Sequence, residues 1–474
     1  MKLLALIIGK LLVWLGGLLQ KGSSTPGSIA LRICPQLPQR LSLPPLRVAV
    51  TGSSGKGSTS ALIAGALREL GLAVVHNAAG ANMQAGVLST LLAAADLRGQ
   101  VRGDALVLEV DERSCKYIFP WLKPGYLVIT NVTRDQPPRQ RHTDFVFSEI
   151  QRALSGQEQL ILNGDDPLLA RFGLSADLLG EAVARPTEPL ITTYGLTADC
   201  NFQSPTARFA AVDAAYCPIC SARLSYGYHL IESLGDYRCP AGHFQRRLDV
   251  AAVALERGSD PAGGQDVLVL ADGQRIQTNT RLLFNIYNVL AAYTLLQALP
   301  PVLLTARRAA NSRGLINPER AAWALSQQSL SHKLFSYELW QGRPTYILNT
   351  KAENATTFNQ ALLFSTALTA PLVLVVGWME ISRRYQADDL SWLYDVAFEL
   401  VADKLTAAIC TGVDASNIAV RLKYAGLAEQ RIQVIDDMDT RVTSALAATE
   451  GSILAILNFD HVPPFHKLLQ RAEP

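Results

Sequence analysis

Short apolar runs without polar alternation recur along the first half of the chain, and each ends at a turn or a loop. They cover 46–50, 105–110, 126–130 and 159–162. Strands that are buried on both faces read as continuous apolar runs, whereas a strand with one wet face alternates. Apolar positions at helical spacing follow the first run over 60–70. The pattern predicts a parallel sheet covered by helices.

A second series of apolar runs follows residue 334 or so, after a long apolar helix predicted over 282–299. Its members are 344–350, 371–377, 406–412, 432–436 and 452–458. We therefore predict an α/β fold with two parts. A central domain covers 46–315, and a Rossmann-like C-terminal domain covers 330–474. An N-terminal apolar helix and a connector precede them over 1–45.

The N-terminal stretch 3–19 is apolar apart from Lys10. It is shorter than the ~20 residues of a spanning helix and has a charge in its middle. The residues after it make a poor signal-peptide cleavage site. We expect a helix that packs on the protein or lies on a membrane surface. A membrane anchor and a cleaved signal peptide are the alternatives.

Composition narrows the class of protein. Of 474 residues, 49% are hydrophobic and 18% are charged, which excludes a disordered or fibrous chain. The net charge of +2 disfavours nucleic acid as a partner. Seven cysteines are too few and too scattered for a disulfide scaffold, and three of them cluster. These features predict a cytoplasmic globular protein with one metal site.

The strongest chemical signal is the sequence TGSSGKGST over 51–59, between a predicted strand and a predicted helix. Backbone N–H groups of such a loop, with the helix N-terminus, form a cradle for phosphate oxygens, and Lys56 would reach the β- and γ-phosphates. A Ser or Thr directly after the Lys normally binds Mg²⁺. Gly57 takes that place here, so Ser58 or Thr59 would have to serve. An ordinary Gly/Ser turn is the alternative. The predicted nucleotide-binding residues of the loop are Gly52, Ser53, Ser54, Gly55, Lys56, Gly57, Ser58 and Thr59.

Polar residues at the ends of the neighbouring strands add to this signal. Glu109 ends a predicted buried strand, with Asp111 and Glu112 just beyond it, and Asn131 follows the next strand. Carboxylates at the carboxyl edge of a parallel sheet, beside a phosphate loop, can hold Mg²⁺. A single polar residue at a strand end is more often a solvated loop residue. Because Glu109 is expected to lie beside Lys56, we predict it as a magnesium ligand. Asn288 opens an apolar helix, where capping is its expected role by position and adenine recognition the alternative.

Three cysteines and one histidine have the spacing of a metal site. Cys217 and Cys220 form one tight pair, and 18 residues then separate them from Cys239 and His243. Four nitrogen and sulfur ligands in two such pairs are typical of a structural zinc ribbon. His229 competes with His243 as the fourth ligand. The alternative is buried cysteines beside a surface histidine. The spacing predicts a zinc-ribbon insertion at about 213–247, inside the central domain.

The order of these motifs resembles the Mur ligase superfamily and, within it, the MurT subunits of lipid II isoglutaminyl synthase. The matching segments are 9–11, 26–27, the phosphate loop, 108–112 (LEVDE), 130–136 (TNVTRDQ), 163–167 (NGDDP), the cysteine-rich insertion, 285–288 (NIYN), 358–360 (FNQ), 389–395 (DLSWLYD) and 421–427 (RLKYAGL). The insertion is the most specific of them.

The resemblance implies an ATP-dependent carbon–nitrogen ligase of peptidoglycan synthesis. Subunits of this type use ATP and Mg²⁺ to phosphorylate the α-carboxylate of D-glutamate in the lipid II stem peptide. Ammonia from a GatD-like glutaminase partner then converts the acyl phosphate to D-isoglutamine. The resemblance assigns Lys56 and Gly55 to phosphate binding, Glu109 to Mg²⁺ and Asn288 to adenine. It assigns Asp389, with the acidic neighbours Asp388 and Asp395, to completing the glutaminase site on the C-terminal domain.

Three departures from the family pattern bear on activity. Gly57 replaces the magnesium-binding threonine, Glu353 stands where the family has lysine, with Lys351 displaced by two, and 335–338 lacks the family's arginine. A glutamate near a triphosphate would repel it. Two further hypotheses therefore remain. One is a catalytically impaired scaffold that binds nucleotide or the partner, and the other is an amide ligase that acts on another carboxylate.

Overall fold

A computed structural model describes the chain except for residues 20–23, 134–141, 175–189, 201, 203–212, 259–265, 279–281, 301–315, 329–334, 352–353, 379–389 and 473–474. Asp388, Asp389 and Glu353 therefore lie outside the described residues. The strands are β1 Leu46–Thr51, β2 Val74–His76, β3 Ala105–Glu109, β4 Tyr126–Ile129, β5 Gln159–Asn163, β6 Leu190–Leu196, β7 Ser225–His229, β8 Gly235–Arg238, β9 Val250–Glu256, β10 Asp266–Leu270, β11 Arg275–Thr278, β12 Phe335–Trp340, β13 Arg343–Thr350, β14 Leu372–Trp378, β15 Leu405–Gly412, β16 Ile432–Ile435 and β17 Ser452–Asn458.

The α-helices cover these strands. They are α1 Lys2–Leu19, α2 Thr25–Ile33, α3 Lys56–Glu69, α4 Gln84–Ala94, α5 Cys115–Leu122, α6 Thr143–Ala153, α7 Pro167–Ala170, α8 Leu283–Ala298, α9 Pro318–Ser326, α10 Ala355–Ser365, α11 Ser391–Tyr394, α12 Ala415–Tyr424, α13 Thr440–Ala447 and α14 Val462–Arg471.

A nine-stranded sheet forms the first part, in the order β11-β10-β9-β6-β5-β4-β1-β3-β2. Strands β1 to β6 and β9 are parallel, and β10 and β11 extend one edge in antiparallel pairs. The central strand β1 is buried on both faces, because Val48 and Val50 pack under α3 and α8 while Ala49 packs in the core of α4 to α6. The continuous apolar run thus reflects two covered faces, as the sequence predicts.

A six-stranded sheet forms the second part, in the order β12-β13-β17-β14-β15-β16. All its pairs are parallel except β12 with β13. Every predicted apolar run of both series lies in a strand, which confirms the α/β class. The sequence analysis did not predict β2, which has only three residues, or β6, β9 and the antiparallel edge, although β10 contains the apolar run Val267–Leu270.

The N-terminal stretch forms α1, which packs against α2 and α4. Lys10 turns inward, and its ammonium donates hydrogen bonds to the carbonyl oxygens of Leu92, at 3.2 Å, and Ala95. Within the described parts of the chain, no helix is both long enough and apolar enough to span a membrane.

The cysteine-rich segment lies in the connection between the parallel neighbours β6 and β9 and contains the antiparallel β7–β8 hairpin. Arg246 anchors the end of this insertion to the sheet, since its Nε donates to Oδ1 of the buried Asp165 at 2.7 Å. The hydroxyl of Tyr287, in α8, donates to the other carboxylate oxygen of Asp165, also at 2.7 Å. A buried carboxylate with both oxygens engaged fixes the insertion relative to α8.

Candidate active site

The phosphate loop lies between β1 and α3, and the end of β4 supports it. The backbone N–H of Ser54 donates to Oδ1 of Asn131 at 2.9 Å, and Nδ2 of Asn131 donates back to the carbonyl of Ser54 at 3.0 Å. Gly55 has a φ of +79°, and a Cβ there would lie 2.5 Å from Oδ1 of Asn288. Only glycine fits this position. Asn131 therefore shapes the loop through a two-way amide contact.

Lys56, the first residue of α3, lies across the loop. Its Nζ is 2.6 Å from Oε1 of Glu112 and also donates to the carbonyl of Gly52. The Glu112 side chain is 1% exposed and that of Lys56 is 10% exposed, so the ion pair is largely shielded from water. Glu112 thus positions the ammonium and balances its charge inside the protein.

Glu109 stands at the carboxyl end of β3, next to the loop. Its Oε1 accepts a hydrogen bond from Nδ2 of Asn82 at 2.7 Å, and Asn77 pairs with its backbone through two hydrogen bonds of 2.8 and 2.9 Å. Burial raises the pKa of Glu109, against the hydrogen bond from Asn82 and the charge of Lys56. A Cβ on Gly57 would lie 3.2 Å from its Oε2. The structure therefore brings a carboxylate, the ligand type that Mg²⁺ prefers, directly against the loop at Gly57.

Ser58 and Thr59, whose hydroxyls could replace the one that Gly57 lacks, have different surroundings. Thr59 is fully buried, and its Oγ1 donates to Oδ1 of Asn288 at 3.0 Å. Ser58 is half-buried and lines the cleft between the two α/β parts. Thr59 is thus engaged with α8, which leaves Ser58 as the better placed of the two.

Asn288 does not cap its helix, so the capping interpretation is wrong. Helix α8 begins at Leu283, after Leu282 as its N-cap residue, and Asn288 lies inside it. Its side chain is 4% exposed and packs against Gly55 and Thr59 of the phosphate-loop segment. The helix begins within one residue of the predicted 282–299, and Asn288 lies in its second turn, from which the amide reaches the loop.

The second α/β part contributes a cation to the same loop. Nζ of Lys351, just after β13, donates to the carbonyl of Ser53 at 3.2 Å. A cleft of about 710 Å³ lies between the loop, the start of α8 and the second sheet. Gln360 lines this cleft and is 4% exposed. Its Oε1 accepts from the N–H of Phe284 at 3.3 Å, while its Nε2 has no hydrogen-bond partner within the described residues.

A neighbouring cavity of about 540 Å³ is lined by Thr130 and Asn131, which support the loop, and by acidic side chains. Two of these are Asp166, beside α7, and Glu232, in the loop of the β7–β8 hairpin. Burial raises the pKa of each to about 7. The cavity therefore carries carboxyl groups that titrate near neutral pH.

The predicted zinc ligands come together in the insertion. One ligand atom from each of Cys217, Cys220, Cys239 and His243 lies within 4.8 Å of every other. His229 is not among them, and its ring stacks on that of Tyr226 with the centroids 4.1 Å apart. Burial raises the pKa of the Cys239 thiol, but hydrogen bonds from nearby N–H groups and thiols outweigh it and lower the pKa to about 6. Three sulfurs and one imidazole at this spacing fit tetrahedral zinc.

Sequence reasoning missed several residues of the site. Asn77, Asn82 and Glu232 gave no signal, because lone amides and a lone acid in a hairpin loop have no motif. Asp395, the described member of the acidic group assigned to the glutaminase site, is the C-cap residue of α11, and its carbonyl accepts from Nδ2 of Asn359 at 3.0 Å.

The sequence of the chain is similar to known proteins over most of its length. Residues 352–459 match the family model described as MurT ligase C-terminal. The chain is 26% identical over 473 residues to the lipid II isoglutaminyl synthase (glutamine-hydrolyzing) subunit MurT of Staphylococcus aureus, covering 96% of this chain and 94% of that protein. It is 28% identical over 430 residues to the same subunit of Streptococcus pneumoniae, covering 89% of this chain and 86% of that protein.

Solved structures show the fold. A pseudomurein peptide ligase type C from Methanothermus fervidus superposes with a TM-score of 0.63 at 17% identity, covering 92% of this chain and 81% of that one. MurF ligase from Thermotoga maritima, in complex with ADP, superposes with a TM-score of 0.58 at 14% identity, covering 93% of this chain and 84% of that one. The two α/β parts thus have the fold of the Mur ligases.

Proposed function

We propose that this chain, a MurT-like member of the Mur ligase superfamily, is the ATP-dependent ligase subunit that amidates the D-glutamate α-carboxyl of lipid II. Ammonia would come from a GatD-like glutaminase partner. The observation that carries the proposal is the meeting of Lys56, Glu109 and Lys351 at one glycine-rich loop. The names of the two MurT relatives, which this chain matches over most of its length, supply the substrate.

The triphosphate of ATP would bind at the loop. Backbone N–H groups at the start of α3 and the ammonium of Lys56 would hold its oxygens. Lys351 reaches the same loop from the second α/β part, and its charge also acts on Glu109. This lysine offers the positive charge that the substitution at position 353 removes from the family motif. Lys351 would therefore offset the repulsion between the glutamate at position 353 and the triphosphate.

Magnesium would be held by Glu109, with Ser58 or water in place of the threonine hydroxyl. The ion would supply Lewis-acid stabilisation of the charge that develops on the phosphates. Glu109 fits this role because Asn77 and Asn82 fix both its backbone and its carboxylate.

The adenine would occupy the cleft between the two parts, next to Asn288 and Gln360. Both side chains are at least nine-tenths buried, and both carry amide groups that can pair with the edge of a base. The cleft is otherwise lined partly by apolar residues such as Leu282, Phe284 and Leu348. An apolar slot with a few convergent polar groups is the ordinary form of a nucleotide pocket.

The reaction would proceed in two displacements. A carboxylate oxygen of the stem-peptide D-glutamate attacks the γ-phosphorus, and ADP leaves. Ammonia then attacks the carbonyl carbon, phosphate departs with the former carboxylate oxygen, and the nitrogen loses a proton. Lys56 and Lys351 would stabilise the negative charge in the first displacement.

The second α/β part has a surface suited to the glutaminase. Tyr394 of α11 and Tyr424 of α12 are 67% and 78% exposed, and α11 and α12 contact each other. Exposed aromatic side chains are enriched at protein interfaces. This surface lies next to Asp395, in the segment that the resemblance assigns to the glutaminase site.

One observation favours a second candidate, a nucleotide-binding scaffold without turnover. Gly57 offers no hydroxyl beside Glu109, and Thr59 points to α8 instead. A scaffold would bind ATP and the partner but would not produce ADP.

The test uses the purified chain with its glutaminase, glutamine, lipid II, ATP and Mg²⁺. We expect ADP release coupled to conversion of one stem-peptide carboxyl to an amide, detected by mass spectrometry. Lys56→Met is the control variant that should lose both. ATP binding without ADP release, in a complex that still forms, would favour the scaffold. ADP release without lipid II amidation would point to a different carboxylate.

A further inference from the structure

Helix α1 presents a continuous apolar face to solvent. Seven large apolar side chains of this helix are 38–65% exposed, namely Leu3, Leu4, Ile7, Leu11, Trp14, Leu15 and Leu18. At about 100° per residue they occupy roughly a 120° arc of the helix circumference. The arc is as wide as the buried stripe of an ordinary amphipathic helix, but here it faces away from the protein.

The opposite face of α1 is fixed to the protein. Ala5 and Leu6 are fully buried, and a Cβ on Gly9 would lie 2.8 Å from a Leu92 methyl group of α4. Lys10 donates to the Leu92 carbonyl at 3.2 Å, and Lys2 donates to the Arg98 carbonyl at 2.8 Å. Both lysines of the helix therefore bend toward the protein, and the exposed arc carries no charge.

The N-terminal segment that contains this face is basic. The first 68 residues contain eight lysines and arginines and no acidic residue, although Lys2 and Lys10 bend inward and Lys56 pairs with Glu112. Asp96, in the loop that receives Lys2, pairs with Arg102 at 3.6 Å. Among the described residues of this segment, Arg32 and Arg40 are exposed. The loop that receives Lys2 adds an exposed leucine, Leu97, and an exposed arginine, Arg98. An apolar stripe flanked by basic residues matches a bilayer surface with anionic headgroups.

We propose that α1 docks this protein on the surface of an anionic lipid bilayer, lying in the plane of the interface with the seven-residue arc inserted. Trp14 belongs to this arc and is 62% exposed, and tryptophan favours the headgroup level of a bilayer. The helix lies flat because its inner face remains packed on α2 and α4.

The orientation of α1 relates the proposed membrane face to the candidate active site. Its early residues contact the end of α4 and the loop beyond it, so α1 and α4 are antiparallel. The carboxyl end of α1 consequently points toward the start of α4, which follows Asn82, and Nδ2 of Asn82 donates to Oε1 of Glu109 in the candidate active site. If the proposed function holds, a lipid-linked acceptor and the cleft are brought to the same interface. The docking itself rests on α1 alone.

The experiment is co-sedimentation of the full-length chain with vesicles of phosphatidylglycerol and phosphatidylcholine, compared with pure phosphatidylcholine vesicles. Leu11→Ser with Trp14→Ser removes two members of the arc. Trp323→Ser with Leu339→Ser is the matched control, because these are also an exposed tryptophan and an exposed leucine, at 50% and 57%. We expect the α1 variant to lose about 10-fold in partitioning to the anionic vesicles, and the control variant to bind like the unmodified chain.

Two further measurements distinguish lost docking from lost folding. The free energy of unfolding and the affinity for ATP should both be unchanged in Leu11→Ser with Trp14→Ser. Shielding of Trp14 from an aqueous quencher, taken as the difference from Trp14→Phe, should accompany vesicle binding. Absence of binding to anionic vesicles, or equal loss in both double variants, would overturn the proposal. A second result would also overturn it. If the unmodified chain self-associates and does not bind vesicles, and the double variant Leu11→Ser with Trp14→Ser is monomeric, then the exposed face of α1 binds a second copy of this chain.

Discussion

Glu232, in the loop of the β7–β8 hairpin, accepts a hydrogen bond of 3.1 Å from Nδ2 of Asn359 in α10. The same carboxylate accepts a second one, of 3.0 Å, from Oγ1 of Thr356. Glu232 has a φ of +49°, a left-handed conformation that is uncommon for a residue other than glycine. The carboxylate of Glu232 thereby joins the cysteine-rich insertion of the first part to α10 of the second part.

The first prediction concerns the pH dependence of this contact. Burial raises the pKa of Glu232 from 4.5 to about 7, although its two hydrogen-bond donors oppose the shift. The folded chain therefore binds this proton more tightly than the unfolded chain. Its contribution to stability is full below pH 4.5 and is lost as the pH rises through about 7. Glu232→Gln should flatten the fall of the melting temperature between about pH 5 and pH 7.

Glu256→Gln is the control for this prediction, because Glu256 makes an exposed pair with Arg275. Some slope should remain in Glu232→Gln, since Asp166 lines the same cavity and its pKa is also raised to about 7 by burial. An unchanged slope relative to the control would show that Glu232 does not hold the proton.

The second prediction separates the stability and activity roles of Lys56. Lys56→Met removes the ion-pair partner at 2.6 Å from a carboxylate that is 1% exposed, Glu112, which should destabilise the fold by about 3 kcal/mol. Adding Glu112→Gln removes that charge and should restore most of the stability. Catalysis should stay at least about 100-fold down in both variants, because the phosphate-binding cation is missing. Denaturant titration and ADP release measure the two effects, and recovery of turnover in the double variant would contradict the role of Lys56.

The third prediction identifies the fourth zinc ligand. His243→Ala should lower the zinc content well below one ion per chain, whereas His229→Ala should keep one, since His229 stacks on Tyr226 outside the cluster. Elemental analysis of the purified variants gives the ratio directly. Cys217→Ser should behave like His243→Ala, with a lower melting temperature, because a structural zinc contributes folding energy. Zinc loss in His229→Ala alone would reverse the assignment.

The fourth prediction tests whether position 57 limits magnesium binding. Gly57→Ser places an oxygen-bearing side chain beside Oε2 of Glu109, which is 3.2 Å from the Cβ position. The φ of Gly57 lies outside the positive range, so serine brings no backbone strain. We expect half-maximal ADP release at a several-fold lower Mg²⁺ concentration. Ser58→Ala should shift the requirement the other way, and no shift in either variant would show that the loop hydroxyls do not contact the ion.

Much of the fold follows from local pattern. The doubly buried strands, such as β1 and β14, are visible as apolar runs because both of their faces are covered. The approach of Glu109 to the phosphate loop follows from the rule that parallel strands end at one edge of the sheet. Helix α1 was visible too, but it is apolar almost all round, so only its packing on α2 and α4 shows which side faces solvent.

Other parts of the site depend on tertiary contacts that no local pattern encodes. Glu232 and Asn359 are 127 positions apart, and their contact exists only once the hairpin and α10 have both found their places. Asn288 looked like a cap residue, but it lies in the second turn of α8, and its contacts with Gly55 and Thr59 exist only in the folded chain. Lys351 looked displaced from a motif, yet its flexible side chain still reaches Ser53.

The position of the cysteine-rich insertion between β6 and β9 limits how this protein can change. The two strands are parallel neighbours, with Tyr194 opposite Val250, so the chain between them has to turn back twice. A tight hairpin turn cannot make that return. Replacing the insertion by such a turn would reverse β9 and carry β10 and β11 with it, rather than merely trim the surface. A lineage that discards the cysteine-rich segment must therefore acquire another crossover in the same step, which makes the segment hard to lose whether or not its four predicted ligands hold a metal.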